Sequence, residues 1–358
     1  MNQKEKNLFF QLCAFRKPSE KKLRALLECN GATPEVLGSL FANRMAGVAY
    51  NVLKELKLLD LLDREFRNSL SNAELLNEKK NEDFFGCIRF LTTELDACGI
   101  PYALLKGAYL CHWYPAGCRT SNDIDVLIAP EDVGRVSAKL KMAGFKQGYL
   151  KNGEFVPANR QEIIESKMMR GETVPFIKEV KKPFMKYLEV DLNFSLDYKN
   201  SDETILKEML EHTEVVTVGE EKIRTLSRYD FLLHLCAHLY KEATTVPWIR
   251  MKRDMTFYKY CDIYGLLQDY SAKEAGELIA VAKERGLERE LAYCLYSIEK
   301  FFGPDAVKCR KYIYERDSRD LETVVAPMEK KIYRYKEPDP LKRFFAKDRM
   351  KLLREVVE

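Results

Sequence analysis

Asp123 and Asp125 stand one residue apart in the run NDIDVLI, whose apolar and polar residues alternate. In a strand, residues i and i+2 project from one face, so the two carboxylates are neighbours while Ile124, Val126 and Ile128 turn to the core. A third carboxylate, Asp191, sits mid-run in KYLEVDLNFSL: Leu188, Val190, Leu192 and Phe194 take one side, Glu189, Asp191 and Asn193 the other. Carboxylates gathered without partners repel and hold their protons more tightly. A hard divalent cation, Mg²⁺ or Mn²⁺, reverses that penalty because it prefers oxygen ligands. Two such ions about 3.5–4 Å apart clamp the entering and leaving oxygens of a phosphoryl displacement. An Asp-x-Asp pair alone usually marks a solvated edge. The β-pattern, the third aspartate and a glycine turn at Gly107 together favour metal-assisted phosphoryl chemistry.

The elements that must position these residues follow from periodicity. Residues before 100 read as helices. Thr33 is the expected N-cap of a helix with Pro34 at its first position, carrying Leu37, Leu40, Phe41 and Val48 toward a core. Phe84, Ile88, Leu91 and Leu95 form one stripe, stopped by Gly99 and Pro101. PYALL is a short strand ending at Lys106-Gly107, and Pro130 introduces a helix with Val133, Val136 and Leu140 on one face and Gly144 just past its end. The lysine-rich stretch 146–186 holds the strand-like TVPFIKEV; TEVVTV and KIRTL suggest a strand pair, and Ser227 a cap for the helix after it. The expected fold is α+β, a small mixed sheet flanked by helices. The expected domains are a helical region 1–98, a catalytic core 99–200 and a mostly helical region 201–358.

Composition narrows the classes. The chain has 358 residues, 46% hydrophobic and 32% charged, which suits a globular protein with a sizeable core. No apolar run nears the roughly 18–20 residues that span a bilayer, so no membrane association is expected. MNQKEKNLFFQLCAF lacks a signal-peptide core, and the expected location is cytoplasmic. Ten scattered cysteines without a CxxC pair read as reduced, buried thiols, and four histidines make a zinc enzyme unattractive. A net charge of +4 is too small to announce nucleic acid.

The ensemble LLKGAYL, YPAGCRTSNDIDVLI, LKMAGF, YLEVDLNFSL and LLHLCAHLYK resembles the nucleotidyltransferase superfamily related to DNA polymerase β, and within it a bacterial branch. The likeness runs from about residue 20 to 270. It implies a Mg²⁺-dependent enzyme that transfers a nucleoside monophosphate from an NTP to an acceptor hydroxyl and releases pyrophosphate. By the same resemblance Asp123 and Asp125 are the metal-binding pair that anchors the triphosphate. Asp191 is the third carboxylate, binding the catalytic metal and helping to deprotonate the acceptor. Gly107 is the turn that cradles the β- and γ-phosphates, and Lys106 and Arg119 are phosphate contacts. Ala108 follows Gly107 where the superfamily pattern has serine, Asn193 stands where the branch often has histidine, and the interval from Gly107 to Asp123 is longer than in minimal members. The acceptor stays open between a small molecule, a peptide or protein, and tRNA in a toxin-like role. The competing reading is a non-catalytic nucleotide-binding or protein-interaction module on the same fold.

Other chemistry-bearing residues carry blander expectations. His234 and His238 share a helical face without a third ligand at sensible spacing, which suits a buried or pocket-lining pair. Arg250, Lys252 and Arg253, and the lysines of FIKEVKKPFMK, read as solvated faces, with phosphate or acceptor contact as the minority reading. His112, Trp113 and Tyr114 read as packing against a helix rather than stacking on a base.

Overall fold

The computed structural model describes residues 1–29, 31–195, 203–218, 221–310, 312 and 321–356. Leu196, the end of the second aspartate run, and the boundary expected at residue 200 lie outside them. In chain order the elements are α1 (Gln3–Cys13), α2 (Glu20–Glu28), α3 (Pro34–Ala42), α4 (Ala46–Glu55), α5 (Arg64–Asp96), β1 (Tyr102–Leu104), α6 (Gly107–Trp113), β2 (Asp123–Ile128), α7 (Val133–Met142), β3 (Lys146–Lys151), β4 (Glu154–Pro157) and α8 (Arg160–Arg170). Then follow β5 (Phe176–Lys182), β6 (Met185–Asn193), α9 (Glu203–Glu211), β7 (Glu214–Val218), β8 (Glu221–Thr225), α10 (Arg228–Ala243), α11 (Val246–Arg250), α12 (Phe257–Gln268), α13 (Ala272–Glu284), α14 (Glu288–Phe302), β9 (Thr323–Ala326), β10 (Lys331–Tyr335), a short helix Pro340–Phe344 and β11 (Leu353–Glu355). They divide into two compact units, Ala46–Phe231 and Met1–Met45 with Leu232–Glu358. The α+β expectation stands.

The unit 46–231 is built on a six-stranded sheet in the order β1-β2-β6-β5-β3-β4. All its pairs are antiparallel except β2 with β6. One face carries Ile124, Val126, Ile128, Leu188, Val190 and Leu192, all sealed from solvent. The stripe Phe84, Ile88, Leu91 and Leu95 of α5 joins that core, as does the Val133, Val136 and Leu140 face of α7. Gly144 follows α7 at φ +90°, a left-handed position that glycine adopts without a Cβ penalty. At the β1 edge the Thr225 hydroxyl of β8 donates to the Leu104 carbonyl at 2.7 Å, so the β7–β8 hairpin covers an otherwise open ladder. Ser227 caps α10, accepting from the Asp230 amide at 3.3 Å.

The other unit packs helices around aromatic rings. Phe9 and Phe10 of α1 meet Phe257 of α12 at 5.1 and 5.3 Å between centroids, and Phe301 of α14 joins them. A three-stranded sheet, β11-β10-β9, closes a second small core with Val246 and Ile249 of α11.

Two local readings need correction. Residues 33–56 form two helices, because Arg44 takes a left-handed backbone at φ 57° between α3 and α4. As a result Val36 and Leu40 carry the buried face of α3, while Phe41 is 47% exposed. Thr33 occupies the N-cap with Pro34 behind it, but its hydroxyl bonds Glu5 at 3.1 Å and not the helix end. The stretch 146–186 holds more structure than one strand. Asn152 and Gly153, both at positive φ, turn the β3–β4 hairpin, and α8 follows. All ten cysteines are free thiols, eight of them buried. Among the described residues no helix is long and apolar enough to cross a membrane.

Candidate active site

The parallel pairing of β2 with β6 sets Asp123 opposite Glu189 and Asp125 opposite Asp191. Because both strands bury their other face, the alternation leaves these four carboxylates on one surface, with Asn193 one step further along. Sequence alternation alone located the polar faces. The register adds that the faces are the same one and that the aspartates are level.

The turn after β1 brings the cation. The Leu105 amide donates to the Asp125 carbonyl at 2.9 Å, which docks the end of β1 against β2. Lys106 then takes φ 46°, ψ −115°, an unfavourable backbone for a residue with a Cβ. That conformation starts α6 and delivers the ammonium to Asp125, with Nζ donating to Oδ1 at 2.6 Å. Gly107 is required at the next position for a steric reason: a Cβ there would lie 2.4 Å from the Ser121 Cβ and 2.5 Å from its hydroxyl. Ser121 is itself buried, and its hydroxyl donates to Asp123 Oδ1 at 2.7 Å. The glycine turn and the aspartate strand are thus locked together through Ser121, a residue that sequence reasoning passed over. Ala108, in place of the superfamily's serine, is fully buried in the sheet core.

Charge at the site is uneven. Burial raises the Asp123 pKa, but the Ser121 hydroxyl, Lys106, its own amide and Arg119 outweigh that and leave it below the usual range. Burial, opposed by Lys106 and aided by Asp123, leaves Asp125 raised. Asp191 is raised well above the usual range, by burial first and then by Asp125, Asp123, Glu172 and Glu189. Glu189 is pushed up to about 7 by burial and by Asp123 and Asp125. Burial works against the Lys106 ammonium, yet Asp125, with Asp123 and Glu172, holds its pKa above the ordinary value. Asn193 bridges the strands, its amide donating to Asp125 Oδ1 at 3.4 Å and to the Asp191 carbonyl at 3.2 Å. Arg119 is buried beside the site. Its carbonyl accepts from Asn81 of α5 at 2.9 Å, and its guanidinium bonds the Thr120 carbonyl.

All six residues singled out in sequence, Lys106, Gly107, Arg119, Asp123, Asp125 and Asp191, therefore fall in one neighbourhood. Glu189 and Glu172 join them. Glu189 was visible on the polar face of its strand, but only the register sets it opposite Asp123. Glu172 lies on a bridge to Asn193 outside any strand and left no periodic signal.

The donor set is all carboxylate oxygen, which suits a hard divalent cation. Yet among the described residues no three His, Cys, Asp or Glu side chains already stand at metal-ligand positions. The Lys106 ammonium occupies the Asp125 oxygen, doing the neutralising that a cation would do. The aromatics after the turn pack: His112 stacks on Phe85 of α5 at 3.7 Å, and Trp113 meets Tyr114 edge-on at 5.1 Å. His234 is buried and His238 Nε2 lies 3.3 Å from Glu242. Arg250 pairs with Glu329 at 2.8 Å. Lys178 donates to the Ala143 carbonyl at 2.6 Å and Lys186 pairs with Glu154 at 2.7 Å.

A family model described as uncharacterised nucleotidyltransferase matches residues 33–303. No curated protein matches the chain. Among solved structures, the chain is similar to an antigenic nucleotidyltransferase-like protein from Paracoccidioides brasiliensis, at 14% identity over 58% of this chain and 90% of that one, with a TM-score of 0.34. The family match spans more than half of the chain and takes in the glycine turn and all three aspartates, so this protein belongs to that nucleotidyltransferase family.

Proposed function

We propose that the chain is a divalent-cation-dependent nucleotidyltransferase that moves a nucleoside monophosphate from an NTP to an acceptor hydroxyl. The observation that carries the reading is the level pairing of Asp125 with Asp191, with Asp123 two residues along the same face. Mg²⁺ or Mn²⁺ held by Asp123, Asp125 and Asp191 would supply the positive charge that neutralises the triphosphate and the departing pyrophosphate. Ser121 fixes the orientation of Asp123, and Asn193 that of Asp125. Asp191, whose proton affinity burial and its neighbours raise, is the group suited to take the acceptor's proton. The acceptor oxygen then forms its bond to the α-phosphorus as the bond to the bridging oxygen breaks, and pyrophosphate leaves. Lys106, Arg119 and the turn at Gly107 are assigned to the phosphates. The reading puts the enzyme in the cytoplasm, in keeping with ten reduced thiols.

One observation favours a second reading. Lys106 already neutralises Asp125, which a nucleotide-binding module without catalysis could use permanently. Isothermal titration of each NTP with and without Mg²⁺ separates the two. The enzyme reading expects at least one NTP whose binding tightens with Mg²⁺ and loses that gain in Asp123→Asn. Binding indifferent to the metal and weakened by Lys106→Gln would favour the module.

A further inference from the structure

A cavity of about 500 Å³ lies wholly within the unit formed by residues 1–45 and 232–358, walled by α1, α2, α14 and the short helix at Pro340. Its size is within the range of small-molecule sites. Lys6, Lys22 and Lys300 line it from three different helices, and no aspartate or glutamate does. Among the described residues none of the three lysines pairs with a carboxylate; Lys6 lies over the Phe345 ring at 4.7 Å and Lys300 over Tyr296 at 5.3 Å. Several arginines of the same unit are paired with carboxylates: Arg16 with Asp269, Arg24 with Glu20, Arg310 with Glu299 and Arg349 with Asp254. Three lysines and no acidic residue on the lining give the cavity a positive rim, which favours an anion.

The rest of the lining selects among anions. Phe10 and Phe301, stacked at 5.7 Å and 19°, contribute an apolar aromatic wall. Gln11 adds an amide able to donate and to accept. We infer that this cavity is a second binding site, separate from the carboxylate strands, for a small phosphorylated molecule with a flat aromatic body, a nucleotide being the simplest case. The lysines take the phosphates and the aromatic wall the base. No divalent cation is needed, because the wall supplies the positive charge itself and holds no carboxylate for a metal.

The test is equilibrium binding of AMP and ATP to the full chain in EDTA, beside inorganic phosphate. EDTA removes the metal on which the proposed transfer depends, so the two readings fail separately. Lys22 and Lys300 are exposed, and K22Q/K300Q should fold as the parent does, checked by its melting curve. Ala25, also on the lining and exposed, provides an independent variant, since A25E would add the missing carboxylate. Both variants should weaken nucleotide binding at least tenfold, and inorganic phosphate should bind the parent at least tenfold more weakly than AMP. Nucleotide binding that is absent in EDTA, unchanged by both variants, or matched by phosphate alone would overturn the site.

Discussion

At the scale of single residues, several side chains of the site have neighbours that cost stability. Asp191 lies among carboxylates, and its raised pKa means that its charged form opposes folding at neutral pH in metal-free protein. Asp191→Asn should therefore abolish transfer while raising the melting temperature measured in EDTA; a gain of about 1 kcal/mol corresponds to roughly 2–4 °C. A lower melting temperature would show that the carboxylate is held by contacts it needs. Gly107 is present for space. Gly107→Ala should cost about 1–3 kcal/mol through overpacking against Ser121. Ser121→Gly added to it should recover much of that loss in urea melts, although the Asp123 hydrogen bond stays lost. Strictly additive costs would mean that the two residues do not meet. Neither Ser121 nor its contact with the turn was legible in the sequence, because a serine two positions before an aspartate has no periodic signature.

Among elements, the strands were readable where one face is buried and the other polar. NDIDVLI and YLEVDLN announced themselves by alternation. Their parallel pairing did not, since α7, β3, β4, α8 and β5 intervene between them and period-two patterns carry no register. The helix break at Arg44 was hidden for a related reason: α3 and α4 keep an apolar rhythm across it, and no glycine or proline marks the turn. The β3–β4 hairpin did have a marker, Asn152-Gly153, a strong turn signal overshadowed by the surrounding lysines. Helix pairing also sets one pH response. Glu242 of α10 is buried and pulled well below the usual carboxylate range: burial opposes this, but His238 and Lys259 of α12 prevail. A depressed folded pKa gives stability above the unfolded value, about 4.5, that is lost as pH falls below it. Glu242→Gln should cost about 3 kcal/mol or more at pH 7 and flatten the acid limb of a urea-stability profile between pH 5 and 3. An unchanged acid limb would assign that limb to other carboxylates.

For the whole molecule, composition and motif order were enough for the α+β class and the family. The division into units at Ala46 and Phe231 was not, because a unit assembled from both ends of a chain leaves no linker to read. The family match from 33 to 303 takes in parts of both units, so neither alone accounts for it. Net charge bears on the acceptor. With 59 cationic and 55 anionic residues the long-range field is weak, so transfer should fall less than tenfold between 50 and 200 mM salt. A loss of about 10³-fold or more would point to a polyanion such as tRNA. The proposed nucleotidyl transfer by Asp123, Asp125 and Asp191 has one direct measurement. Wild-type protein, D123N and D191N are each incubated with Mg²⁺, fractionated cell extract and NTPs labelled at the α-phosphate. Label should enter one acceptor fraction with wild type and none with either variant. Full transfer by both variants, or none by wild type with Mg²⁺ or Mn²⁺, would contradict it.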